Sequence, residues 1–256
     1  MGSNQIASRL ALMSQFGQRN RALDTLRGFA ILLMVVDHVA GILMHVSIDY
    51  STVRFWTRLS MPLFCVLMGY FLPAAFEDRS FTGRVMTLLP RKRFIQLVLA
   101  TIVINVAFYA WYQELEILAS LTLAYVVAVV TGRYFVALVL ALFFYSVDPT
   151  AAWLDYPLSV VVPFVAQGMI LERYGTLAAL VSGCLLASGV AWLGMGQSGG
   201  VSYMLCYFIL PATGMVAWAA KRPKWHVAGL ETIGQYPLTC YLVQYYLIFA
   251  IAAAMR

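Results

Sequence analysis

Long apolar runs, separated by short polar or basic segments, repeat along the whole chain. Their length suits helices that cross a bilayer, and their weak alternation argues against barrel strands. The pattern predicts an all-α, polytopic transmembrane helix bundle of about nine spans. These fall near residues 24–46, 59–76, 93–112, 116–131, 133–147, 157–171, 174–194, 202–220 and 230–254. Pro62, Pro163 and Pro211 lie within or at the edges of spans and predict kinks.

The charges set an orientation on this pattern. With the N-terminus in the cytoplasm, Arg9, Arg19, Arg21, Arg79, Arg84, Arg91, Lys92, Arg93, Arg133, Arg173, Lys221, Arg222 and Lys224 fall on the inner side. Asp49, Glu114, Glu116, Asp148 and Asp155 fall outside, with Arg54, Arg58 and Arg256. This asymmetry follows the positive-inside rule. Residues 1–20 read as a cytoplasmic segment without a cleavable apolar leader. No repeat or linker divides the rest, so one domain is expected over residues 1–256.

Composition narrows the class. The chain is 62% hydrophobic and 11% charged, too apolar for a soluble domain of this size. Its net charge of +6 sits mostly in short loops, where topology accounts for it, so nucleic acid is not an expected partner. Cys65, Cys184, Cys206 and Cys240 each lie in an apolar run without metal-ligand spacing. Neither a disulfide nor a metal site is expected.

The candidate chemistry begins in the first span, ALDTLRGFAILLMVVDHVAGIL, which carries Arg27, Asp37 and His38. Ionisable groups are expensive at membrane depth, so their presence needs a reason. At about 100° per residue, Arg27 and His38 return to nearly one face after about three turns. An imidazole here either bonds a neighbouring helix or accepts and returns a proton, and the company of Arg27 and Asp37 favours the second. Arg27 is either an anchor at the membrane surface or a contact for a phosphate or thioester carbonyl. Asp24, one turn earlier, is placed to hold it. Asp37 points about 100° from His38 and is free to pair with Arg58 instead.

Three further features follow. Arg84, Arg91, Lys92 and Arg93 form a basic cluster after the second span. Such a cluster reflects topology, anionic lipid head groups, or a seat for a polyphosphate such as coenzyme A. The second span carries Arg58 and Tyr70, with packing as its default role. The last span is unusually polar, with Glu231, Gln235, Tyr241, Gln244 and Tyr245, as an acceptor path or as helix-to-helix hydrogen bonding.

Asp24-Thr25-Leu26-Arg27-Gly28 followed by His38 resembles the opening helix of the acyltransferase-3 family. MPLFCVLMGYFL resembles that family's second helix, and PRKRF is similar to its basic segment. MVVDH (34–38) and RLSMPLFCVLMGY (58–70) are more similar still to the TraX group, whose members acetylate conjugative pilin, together with the related TrbP proteins. One departure is YLVQ, which puts Gln244 where such proteins carry a histidine.

The resemblance implies a membrane acetyltransferase of the bacterial inner membrane that takes acetyl-CoA from the cytoplasm. It implies catalytic roles for His38, Arg27 and Asp37, and donor binding by Arg84, Arg91, Lys92 and Arg93. Arg58, Tyr70, Tyr241 and Gln244 would line the substrate path. The expected acceptor is a pilin N-terminal amine, with a surface-glycan hydroxyl or amine as the alternative. A non-enzymatic component of a conjugation or secretion system, or a small transporter, is the reading from a different class.

Overall fold

A computed structural model describes residues 19–45, 53–72, 92–132, 153–194 and 202–255. Among these residues the chain is helical, with a single isolated β-bridge. Helix α1 spans Arg21–His38 and continues as a π-helical turn over Val39–Leu43. Then come α2 (Val53–Thr57), α3 (Ser60–Tyr70), α4 (Lys92–Tyr112) and α5 (Ile117–Thr131). Helices α6 (Leu158–Gly194), α7 (Ser202–Ala220), α8 (Ala228–Gln235) and α9 (Pro237–Ala254) complete the described chain.

Three helical stretches are long and apolar enough to cross a membrane by length and composition: Arg21–Leu43, Leu158–Trp192 and Pro237–Ala254. Shorter apolar helices cover Phe94–Ala110, Ile117–Thr131 and Met204–Ala220. The outer faces are apolar: Val106, Leu177 and Trp192 are 73%, 77% and 89% exposed. Such faces suit hydrocarbon as their solvent. The core is apolar too, with Leu63, Ile104, Phe164 and Phe208 fully buried.

Several boundaries differ from those the sequence pattern suggests. The expected span over 230–254 is two helices, because the backbone leaves helical geometry at Tyr236 and Pro237 starts α9. A proline lacks the N–H that a continuous helix would need there, yet it fits the first position of a new one. The second span stops at Tyr70 rather than continuing to 76, and residues 73–76 lie outside the described chain. The expected span at 133–147 lies there as well. Helix α6 breaks at Gly175 (φ 83°, ψ 179°), beside the expected division between residues 171 and 174, rather than at Pro163, and that backbone conformation is essentially restricted to glycine. Pro62 sits in the first turn of α3, where its missing N–H leaves no bond unmade.

Helix α1 is the axis of the bundle and packs against α3, α7, α8 and α9. Its closest partner is α8. A side chain at Gly28 would overlap the Leu230 carbonyl, and one at Gly234 would overlap the Asp24 carbonyl. The two backbones therefore touch, and only glycine permits this. The contact is locked at its polar end by Arg21, which donates to Glu231 through Nε (2.8 Å) and Nη2 (2.7 Å). The Asn20 side chain accepts from Leu23 N at 3.1 Å and caps α1. An equivalent glycine crossing joins α3 to α6 through Gly69 and Gly168. These crossings fix the height and rotation of α1, and so of Arg27 and His38.

Candidate functional site

Two cavities flank the middle of α1. One, of about 270 Å³, is walled by apolar side chains such as Phe64, Leu67, Phe94 and Leu121, and Arg27 is its basic group. The other, of about 300 Å³, holds His38 and the polar groups around it. Met34, Ile117 and Tyr241 line both cavities and so form the wall between them. Arg27 and His38 thus stand about 16 Å apart along α1, one at each chamber.

Arg27 is held in place from two sides. Its Nη1 donates to Asp24 Oδ1 at 2.8 Å, and its guanidinium lies 4.2 Å from the Phe71 ring centroid. Asp24 is buried and also accepts from Arg19 Nε at 2.5 Å. The guanidinium is thus oriented by a carboxylate at one edge and by an aromatic ring below it.

Asp37 is fixed by the short helix α2. Its Oδ1 accepts from the Thr57 hydroxyl at 2.9 Å and from Arg54 Nε at 3.3 Å. Oδ2 lies 3.8 Å from Arg58 Nε. Arg58 in turn donates to the Tyr156 hydroxyl. His38 lies against Tyr245, with ring centroids 4.3 Å apart. Its Nδ1 is buried and has no hydrogen-bond partner among the described residues.

The far wall of the His38 chamber comes from residues that sequence reasoning counted only as loop charges. An isolated parallel bridge pairs Leu115 with Leu154, through Leu115 N to Trp153 O (2.8 Å) and Asp155 N to Leu115 O (2.9 Å). The Ser120 hydroxyl adds a bond to Tyr156 O at 2.6 Å. This brings Glu114, Glu116, Asp155 and Tyr156 to one cavity. Glu116 is buried and caps α5, accepting from Leu118 N at 2.8 Å. Its own N–H donates to Asn105 Oδ1 at 2.8 Å. Its Oε1 accepts from the Tyr241 hydroxyl and lies 3.5 Å from that of Tyr245. The usable signal was an acid directly before an apolar helix, which is an N-cap position facing inward.

The chamber therefore gathers four carboxylates, two guanidiniums and several tyrosines around one imidazole. In the loop before α6, burial pushes Asp155 up to about 6 against the pull of Arg58, with Glu114 and Asp37 adding to the rise. The neighbouring Tyr156 hydroxyl is also raised, chiefly by burial.

The sequence-derived candidates divide as follows. Asp37, His38, Arg58 and Tyr241 meet at the His38 chamber, and Arg27 and Tyr241 at the other. Tyr70 is half-buried at the end of α3 and lines neither cavity. Gln244 is buried on α9, lines neither cavity, and both amide atoms lack a partner among the described residues. Lys92 is exposed at the start of α4. Arg84 and Arg91 lie outside the described residues, as does the Arg93 side chain. No group of three or more His, Cys, Asp or Glu among the described residues is arranged to hold a metal ion.

Residues 20–116 match the model of a family described as an acyltransferase domain, the acyltransferase-3 type. The match covers well under half of the chain. It takes in α1 to α4, with Arg27, Asp37 and His38, and ends at Glu116. It supports a membrane acyltransferase. No curated protein and no solved structure matches the chain.

Proposed function

We propose that this chain is a membrane acetyltransferase that moves an acetyl group from cytoplasmic acetyl-CoA to an acceptor on the far side of the bundle. The observation that carries the reading is the placing of Arg27 and His38 on one helix, each at its own chamber, within the segment that matches an acyltransferase domain. In this reading the N-terminus faces the cytoplasm of a bacterium and the bundle crosses its inner membrane several times. Arg84, Arg91, Lys92 and Arg93 gather the phosphates of the donor, and Arg27 orients its entry into the apolar chamber.

The acceptor occupies the His38 chamber. Its lone pair attacks the thioester carbonyl carbon, and its proton passes to the imidazole of His38. The carbon–sulfur bond breaks, and the leaving thiolate takes the proton back from the imidazolium. General-base help of this kind contributes about 10²- to 10⁴-fold. Asp37, held by Arg54 and Thr57, fixes the end of α1 that presents His38. A dry bundle adds proximity and strengthens each charge interaction.

The acceptor we propose is an amine, the N-terminus of a conjugative pilin as in the TraX group that the first two helices resemble. The carboxylates of the His38 chamber favour this, since Asp37, Glu114, Glu116 and Asp155 would collect a cationic amine and one of them would take its first proton, leaving the neutral amine to attack.

The test is acetyl-CoA binding and hydrolysis by the purified protein in detergent, beside Arg27→Ala and His38→Ala. Binding lost in the first and turnover lost in the second is the expected result. A folded wild-type protein that binds no acetyl-CoA would overturn the reading and return the chain to a structural or transport role.

A further inference from the structure

The wall between the two chambers has one polar member. Met34, Ile117 and Tyr241 line both cavities, and Tyr241 alone of these carries a hydrogen bond across the site, to Glu116. Met34 and Ile117 are buried at 6% and 5% exposure, and Tyr241 at 4%, so all three sit inside the bundle where the two cavities adjoin. Glu116 is itself held from several sides: it is 1% exposed, caps α5 and donates its backbone N–H to Asn105 Oδ1. Tyr241 is therefore latched by a rigid acceptor on another helix. Tyr245, one turn further along α9, places its hydroxyl 3.5 Å from the same carboxylate oxygen and its ring against His38.

We propose that Tyr241, held by Glu116, is the gate between the donor and acceptor chambers, and that Glu116 is a positioning residue which couples this gate to the His38 side. The inference deepens the acetyltransferase reading and rests on it for its chemical role, although the barrier itself stands on the cavity geometry.

The functional logic follows from water. The Arg27 chamber is apolar, whereas the His38 chamber is polar and rich in carboxylates. A thioester in the first is protected from hydrolysis only while the wall stays shut. For transfer, the carbonyl carbon and the acceptor must meet at reacting distance. Breaking the Tyr241–Glu116 bond frees the phenol ring to rotate and opens the wall at one point. An acceptor bound beside Glu116 competes for the same carboxylate oxygen. The gate then opens when the acceptor is present and stays closed to water alone.

Two measurements test this separately from the enzyme assignment. The first needs no acetyl-CoA. Leu121→Cys places a thiol in the Arg27 chamber, and a charged, membrane-impermeant methanethiosulfonate is added to proteoliposomes on the face opposite Arg27. Labelling is compared with protein lacking the added cysteine. We expect the thiol to be protected with Tyr241 in place and to react at least about tenfold faster with Tyr241→Ala or, as a second variant, Met34→Ala. Equal labelling with and without Tyr241, in folded protein, would overturn the gate.

The second is acceptor-independent acetyl-CoA hydrolysis. Tyr241→Ala should raise it about tenfold while transfer falls. Glu116→Gln should show a smaller rise, because the amide still accepts from the phenol, and Glu116→Ala the full rise. Hydrolysis that falls in step with transfer in all three variants would overturn the role of Glu116. Failure of the acetyltransferase reading would instead show as a wild-type protein inert to acetyl-CoA with the labelling pattern intact.

Discussion

Asp37 Oδ1 meets Arg54 Nε at 3.3 Å, so the carboxylate next to the candidate base is tied to a different helix from the one that carries it. Neighbours on a helix diverge by about 100°, which lets α1 give Asp37 to α2 while His38 faces Tyr245 on α9. The two adjacent residues should therefore separate by experiment. Asp37→Asn leaves Arg54 and Arg58 side by side without their carboxylate. Removing one partner of a buried charge cluster costs on the order of 3 kcal/mol. Thermal unfolding in detergent should show a clear loss of stability for Asp37→Asn and almost none for His38→Gln. The reverse order would mean that His38 is the structural residue of the pair.

Close packing of α1 on α8 makes a second prediction. A methyl group at Gly28 or Gly234 meets a backbone carbonyl, which cannot rotate away as a side chain would. Overpacking of this kind costs about 1–3 kcal/mol. Gly28→Ala and Gly234→Ala should each lower the unfolding temperature by several degrees. Gly229→Ala, on the same helix α8 but with open space around it, should be close to neutral. Equal behaviour of Gly234→Ala and Gly229→Ala would show that the helices separate readily.

The parts of the site legible in the sequence are those carried by one helix. Asp24, Arg27, Asp37 and His38 follow from spacing along α1, and the Asp24–Arg27 contact is a local pairing one turn apart. Arg58 near Asp37 was also accessible, because α1 and the second helix are neighbours in the chain. Glu116, Asp155 and Tyr156 were not, since their meeting depends on the bridge between Leu115 and Leu154, two short stretches far apart in sequence. Nothing in hydropathy marks a parallel pairing of loop residues. The break at Tyr236–Pro237 did carry a signal, a proline suited to begin a helix, but the apolar pattern on both sides concealed it.

Asp155 gives a pH prediction with a definite sign. Burial raises its folded-state value from 3.8 to about 6. Between these values the folded state holds more protons than the unfolded state, so stability falls as pH rises through this interval and levels off above about 6. Asp155→Asn removes the ionisation and should flatten that part of the profile. Unfolding temperature measured at about pH 4.5 and about pH 7 is the readout, with the slope present in wild type and reduced in the variant. A profile unchanged by Asp155→Asn would assign the dependence to another carboxylate.

Arg27 offers the last test, because its two contacts ask for a planar cation. Asp24 takes one of its N–H groups, and the Phe71 ring lies under its face. Lysine keeps the charge but loses the flat stacking surface and the planar fork of donors. If Arg27 holds the donor at the mouth of the apolar chamber, Arg27→Lys should raise the KM for acetyl-CoA about tenfold and leave kcat nearly unchanged, since uniform binding is lost and the transition state is not touched. Phe71→Leu should give the same pattern to a lesser degree, because it weakens only the stacking. A fall in kcat with an unaltered KM would instead place Arg27 at the reacting carbonyl, and the donor would then have to sit deeper, against the Met34–Tyr241 wall.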